Sequence, residues 1–187
     1  MTRRTQSALF PWILSLSAAG ALGCSSTSAT PAVAHPALAV SSPALTEGKP
    51  IPAPYACTDY DHLGKSPPLS WAAGPEGTTG YAITVTDPDA KNFVHWALVS
   101  VPGGTTSLPE GASPGGPLPT GATELPNDFG KPGYGGPCPP PGTPHHYLFR
   151  VYALKTPVSA SKPDASFFKA LDAAALAVGT ITVTFQR

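Results

Sequence analysis

The sequence predicts a mainly β protein: an antiparallel β-sandwich with long Pro/Gly-rich loops and a single peripheral helix near the C-terminus. Three observations carry that expectation. Segments of alternating apolar and polar residues recur along the chain, the period of a strand with two unlike faces. Turn formers separate them: Gly 19 and Pro 25 together make close to a quarter of the 187 residues, as suits a loop-rich β protein. Only Ser166 to Val178 carries the apolar spacing of an amphipathic helix.

The elements follow in order. Short strand candidates lie around Leu38–Ser41 and Leu69–Trp71. From Gly80 to Thr86, Tyr81, Ile83 and Val85 share one face and Ala82, Thr84 and Thr86 the other. Phe93 to Val101 is nearly continuous in apolar residues, as expected of a central strand buried on both faces. Residues 102–146 hold so many Pro and Gly that they read as a long surface excursion, and loops of that length tend to be functional. Tyr147, Phe149, Val151 and Ala153 then alternate with His146, Leu148, Arg150, Tyr152 and Leu154. In the helix, Phe167, Phe168, Leu171, Ala174, Ala175 and Val178 form the apolar stripe. Asp164 or Ser166 caps its start, and Gly179 suits the position just past its end. The last strand sets Ile181, Val183 and Phe185 against Thr180, Thr182, Thr184 and Gln186.

The amino terminus reads as an export signal. Arg3-Arg4 precedes an apolar stretch from about Leu9 to Leu22, too short to span a bilayer and suited to a signal peptide. Ala21-Leu22-Gly23-Cys24 resembles a bacterial lipobox. Residues 1–23 are thus expected to be removed and Cys24 to carry lipid, with 24–39 as anchor and flexible linker and 40–187 as the folded domain. The alternative is an ordinary secretory signal in which Cys24 is incidental. The lipoprotein reading places the chain in a bacterial cell envelope, attached to a membrane through Cys24. Ser25, where a retention signal would have Asp, points to the outer membrane. In an oxidising compartment the two remaining cysteines, Cys57 and Cys138, can form a disulfide or stay as buried thiols.

Charge excludes one class of partner. Eleven basic residues balance eleven acidic ones, and no Lys/Arg cluster lies beyond Arg3-Arg4, so nucleic-acid binding has no electrostatic support. Charged residues are only 12% of the chain, about half the usual share. Against that background two polar constellations stand out. One runs from Asp87-Pro88-Asp89-Ala90 to His95-Trp96, and the other from Gly135-Gly136-Pro137 to His145-His146-Tyr147. Residues two apart on an extended chain share a face. Asp87 with Asp89, and His145 with Tyr147, are therefore expected to face one cavity together with His95, while His146 points away. Imidazoles beside carboxylates become more readily cationic. With a phenol and Gly-loop amides they would form an anion cradle for a phosphate-bearing small molecule or head group.

Blander readings exist for each fragment. Asp-Pro-Asp alone is a capped turn, His95 alone a core histidine, and Pro139-Pro140-Pro141 stiff loop. Two carboxylates and two imidazoles also suit a transition metal, but no His-x-His or His-x-x-x-His spacing supports one, and no metal or other cofactor is expected. No Gly-x-Ser-x-Gly elbow, catalytic cysteine context or phosphate-cradling Gly-rich motif is present.

Six segments in order carry a family resemblance: Ser66-Pro67-Pro68-Leu69-Ser70-Trp71, Asp87-Pro88-Asp89-Ala90, Val94-His95-Trp96, Asn127-Asp128-Phe129-Gly130, Gly133-Tyr134-Gly135-Gly136-Pro137-Cys138-Pro139-Pro140 and His145-x-Tyr147. Together, over about Val40 to Arg187, they resemble the phosphatidylethanolamine-binding protein family, in particular its bacterial Raf-kinase-inhibitor-like branch. The resemblance implies a β-sandwich with a small pocket for phosphate-like anions and lipid head groups. Asp87, Asp89, His95, His145 and Tyr147 would line it and Gly135–Pro140 would form its rim. It implies a binding or regulatory protein, some relatives inhibiting kinases or serine proteases, and no general enzymatic activity. Two departures stand against the family pattern. His146 replaces the usual Arg of His-Arg-Tyr, and Lys91-Asn92 follow Ala90 where Pro is usual.

The expected function is therefore an envelope lipoprotein with an Asp/His/Tyr anion pocket. Its alternatives are a metal-assisted or acid–base hydrolase using Asp87, His95 and His145, and a serine-protease inhibitor module acting through the Pro-rich loops.

Overall fold

The computed structural model describes residues 1–2, 34–60 and 62–187. The export signal, Cys24 and the linker up to residue 33 lie outside the described residues, apart from Met1 and Thr2. Two antiparallel sheets pack face to face. The small one joins β1 (Val40–Ser41), β2 (Leu69–Trp71) and β5 (Ser107–Leu108) in the order β1-β2-β5. The large one comprises β3 (Gly80–Asp87), β4 (Phe93–Pro102), β6 (Thr123–Glu124), β7 (His145–Leu154) and β8 (Ala175–Phe185), in the order β6-β4-β3-β7-β8. The predicted mainly β, antiparallel architecture with one helix is thus observed.

Hydrophobic burial explains the layering. Tyr81, Ile83, Val85, Trp96, Leu98, Phe149 and Val151 of the large sheet bury against Leu69, Trp71 and Leu108 of the small one. The opposite face is covered too. Ala82, Val94, Ala97, Val99, Tyr152 and Leu154 pack with Phe167 and Leu171 of the helix α1 (Ala165–Ala174). This explains why β4 reads as continuous apolar sequence although the central strand is β3: helix and small sheet cover both its faces.

Three expectations are corrected. The helix is capped by Asp164, whose side chain accepts from the Ser166 and Phe167 N–H groups, but it stops at Ala174. Ala175 to Val178 enter β8 instead and pair with Leu154 to Tyr152 of β7. Sheet pairing overrides helical propensity there. Gly179, expected beyond the helix end, lies within β8, where any Cβ would collide with the Leu38 carbonyl oxygen. The incoming chain crosses there: Leu38 N–H donates to Val178 O and Val178 N–H to Pro36 O. Residues 36–39, read as linker, are therefore already fixed on β8.

The third correction concerns residues 102–146. Their segment Gly133–Pro139 is buried throughout, not a surface excursion. Buried backbone needs partners, and it has them. Gly135 N–H donates to His95 O, Gly136 N–H to Leu63 O, and Cys57 N–H to Pro137 O. Asn127 Nδ2 donates to Gly133 O at 2.8 Å. A Cβ on Gly136 would strike the Tyr55 carbonyl oxygen, so only glycine lets the segment lie so close to its neighbours.

Candidate functional site

A cavity of about 200 Å³ opens at the end of the large sheet where β3 leaves and β7 enters. Asp87, His95, His145 and Tyr147 form its polar wall, Phe93 and Phe129 its aromatic wall, and Cys138, Pro139 and Pro140 its rim, with Tyr60 and Ala90 beside them.

Each polar side chain is held by the chain around it. Asp87 is the last residue of β3 and caps the 3₁₀ turn Pro88–Ala90, its Oδ1 accepting from Ala90 N–H at 3.0 Å. Its Oδ2 accepts from His145 Nδ1 at 2.7 Å. Only 2% of Asp87 is exposed, so this charge is held by hydrogen bonds rather than by water. Beyond the turn, Lys91 and Asn92 adopt left-handed backbone with φ 58° and 60°. Proline is locked near −65°, so the turn of this chain is incompatible with the proline usual in the family at 91.

His95 differs. Its Nδ1 lies 2.7 Å from the Gly135 carbonyl oxygen. A carbonyl only accepts, so Nδ1 carries the hydrogen and Nε2 is left with its lone pair. Burial pushes its pKa below the ordinary value, outweighing the pull of the Gly135 carbonyl and of Asp87. The expectation that nearby carboxylates make this imidazole cationic is corrected: desolvation wins. Its ring packs edge-on against Tyr147 and Phe129, with centroids 5.2 and 5.4 Å away.

The Tyr147 hydroxyl is buried and makes no hydrogen bond of normal geometry to protein. Burial first, and the adjacent Asp87 carboxylate second, raise its pKa far above the ordinary phenol value, so it remains a proton donor.

The structure does not gather every residue expected there. Asp89 is absent from the cavity lining; it faces outward and accepts from the His146 backbone N–H at 2.7 Å and from His146 Nδ1 at 2.8 Å. The intervening 3₁₀ turn breaks the two-residue alternation that would have aimed both carboxylates inward. Gly135, Gly136 and Pro137 build the wall behind the lining residues and present no amide donors, since both glycine N–H groups are spent on His95 O and Leu63 O and proline has none. His146 points away from the cavity, as alternation predicts. Sequence reasoning missed Tyr60, Phe93 and Phe129. Phe93 was legible as the residue two before His95 on one strand, and Phe129 as part of the Asn127–Gly130 segment.

Cys57 and Cys138 form a disulfide with Cα atoms 5.3 Å apart, choosing between the two readings left open by the sequence. The bond ties the cavity rim to the segment leading to Tyr60. Among the described residues no group of three or more His, Cys, Asp or Glu side chains is placed to hold a metal ion, and no helix is long and apolar enough to cross a membrane.

Fold and site together define a β-sandwich binding protein with a small recessed cavity. A family model for phosphatidylethanolamine-binding protein matches residues 41–186. YbcL of Escherichia coli strain K12 is 45% identical over 130 residues, covering 65% of this chain and 71% of that protein. Its crystal structure, described as a new member of the mammalian PEBP family, superposes with a TM-score of 0.73 at 36% identity, covering 80% of this chain and 98% of the other. A Mycobacterium tuberculosis strain H37Rv protein with the provisional name lipoprotein LppC is 39% identical over 137 residues, 72% of this chain and 63% of that protein. The chain belongs to the phosphatidylethanolamine-binding protein family.

Proposed function

We propose that this chain is an envelope lipoprotein, anchored through Cys24, that binds a phosphate-bearing small molecule or lipid head group in the Asp87–His145–Tyr147 cavity, and that it acts by binding rather than catalysis. The observation that carries the reading is the buried Tyr147 hydroxyl on the wall of an open cavity, which stands beside the Asp87 carboxylate but makes no hydrogen bond of normal geometry to protein. An unsatisfied buried hydroxyl costs about 1–3 kcal/mol, and an anion oxygen would satisfy it. His145, fixed by Asp87 through Nδ1, offers a second donor at Nε2 when protonated. Among the described residues no Ser or Thr lines the cavity, and the Cys138 sulfur is tied in a disulfide, which supports binding over covalent catalysis. The lipobox-like sequence and the lipoprotein name of one relative support the anchor.

Titration calorimetry of the domain with phosphoethanolamine tests this. Binding is expected at both mildly alkaline and mildly acidic pH. Tyr147→Phe is expected to weaken it roughly tenfold, the worth of one hydrogen bond to a charged group. No binding at either pH, or unchanged binding by both Tyr147→Phe and His145→Ala, would sink the reading.

A further inference from the structure

The cavity as described has too little positive charge for the ligand proposed. Among the described residues no Lys or Arg lines it, His95 is held neutral by burial, and the Gly135 and Gly136 amides are already spent. A fixed cation nonetheless lies against its rim. The Arg187 guanidinium stands over the Tyr60 ring, 5.5 Å from its centroid, and its Nη1 lies 3.5 Å from Cys138 Sγ. Both Tyr60 and Cys138 line the cavity, and Tyr60 is 60% exposed, so this is its outer edge. The contact with the ring fixes the guanidinium plane. Among the described residues its only hydrogen-bond partner is that sulfur, a weak acceptor. Most of its five donors are therefore available in a defined orientation, two residues beyond the end of β8.

We propose that Arg187 is a specificity-determining residue of the cavity: it pairs with the outward oxygens of a bound phosphate and selects a phosphate monoester over a diester. The inference rests on the binding reading above. A phosphate seated against Tyr147 turns its remaining oxygens to the mouth. A monoester offers two of them to a planar guanidinium, whereas a diester places a second ester substituent there. A soluble metabolite and a lipid such as phosphatidic acid present the same terminal phosphate.

The test titrates phosphoethanolamine and glycerophosphoethanolamine into wild type, Arg187→Gln and Arg187→Lys, with vesicles of phosphatidic acid or phosphatidylethanolamine as a parallel arm. Wild type is expected to prefer the monoester. Arg187→Gln should lose roughly tenfold on the monoester and little on the diester. Arg187→Lys should keep the salt dependence of binding but lose most of the preference. Preference in the vesicle arm as well as in solution assigns the lipid source; preference in solution alone assigns the soluble one, and each supports the role of Arg187. Equal monoester binding by wild type and Arg187→Gln overturns that role while leaving the binding reading standing. Failure of wild type to bind any of these probes overturns both. Arg187 is exposed, so an unchanged melting temperature is the control for folding.

Discussion

Two aspartate–histidine pairs stand side by side in this molecule and do different things. Asp87 with His145, at 2.7 Å, and Asp89 with His146, at 2.8 Å, join the same turn to consecutive residues at the start of β7. Strand alternation sends the two histidines to opposite sides. The Asp87 and His145 side chains are 3% and 18% exposed, those of Asp89 and His146 42% and 54%. The chemistry is the same and the environment is not. Water screens the outer pair, for which the usual worth is about 0–1 kcal/mol. The inner pair has replaced water with fixed hydrogen bonds, so removing either partner strands a buried polar group. Residue type alone does not make a site; burial decides which of two identical pairs becomes one.

The sharpest way to break the comparison is to delete both carboxylates in turn. Asp87→Ala removes the acceptor for Ala90 N–H and leaves His145 Nδ1 without its partner. The expected loss of stability is about 3 kcal/mol, read by denaturant unfolding, together with loss of phosphate binding. Asp87→Asn, which keeps an oxygen for Ala90, should lose less. A cost for Asp87→Ala no larger than for Asp89→Ala would erase the distinction between inner and outer pair.

Most of the strands and the inner pair were legible in the sequence. Period-two patterning located β3 and β7, and the same pattern put His145 and Tyr147 on one face with His146 on the other. What was not legible depended on long-range contact. Ala175 to Val178 suit a helix by local propensity, and only their pairing with β7 makes them strand. Gly133–Pro139 has the composition of a surface loop. Its burial depends on partners more than thirty residues away, such as His95 O and Leu63 O. Asp89 was assigned inward because alternation was carried through Asp87-Pro88-Asp89, where the backbone turns 3₁₀. The aromatic wall was missed because Phe93, Phe129 and Tyr60 approach one another only in the folded chain.

His95 sharpens the comparison with an intermediate effect. It is as buried as Asp87, but its Nδ1 partner is the Gly135 carbonyl rather than a carboxylate. Its folded pKa lies below the ordinary value of 6.5 because of burial. Between the two values the unfolded chain binds more protons than the folded one, so stability falls as pH drops through about 6.5. Melting temperature followed from neutral to mildly acidic pH should decline in wild type. It should decline less in His95→Asn, which retains a donor for Gly135 and cannot be protonated. Identical slopes in the two proteins would show that His95 is not held neutral by the fold.

The smallest effect belongs to the outer pair, and it separates two sources of anion stabilisation. Asp89 has its pKa lowered from 3.8, most by the His146 backbone N–H, next by the imidazole, against a small opposing effect of burial. A lowered carboxylate pKa stabilises the fold above its unfolded value and ceases to do so as pH falls below it. The contribution is therefore fully present at neutral pH and lost in strong acid. Because the backbone donor is the larger cause, His146→Ala should keep most of the lowering, since it removes the ring and leaves the N–H. His146→Arg, which installs the residue usual in the family, should place a permanent cation beside Asp89 and change stability by no more than about 0.5 kcal/mol at neutral pH. NMR titration of the Asp89 carboxyl in wild type and both variants measures this directly. If His146→Ala returns Asp89 to 3.8, the ring rather than the strand backbone holds the turn, and the outer pair is a closer copy of the inner one than its exposure implies.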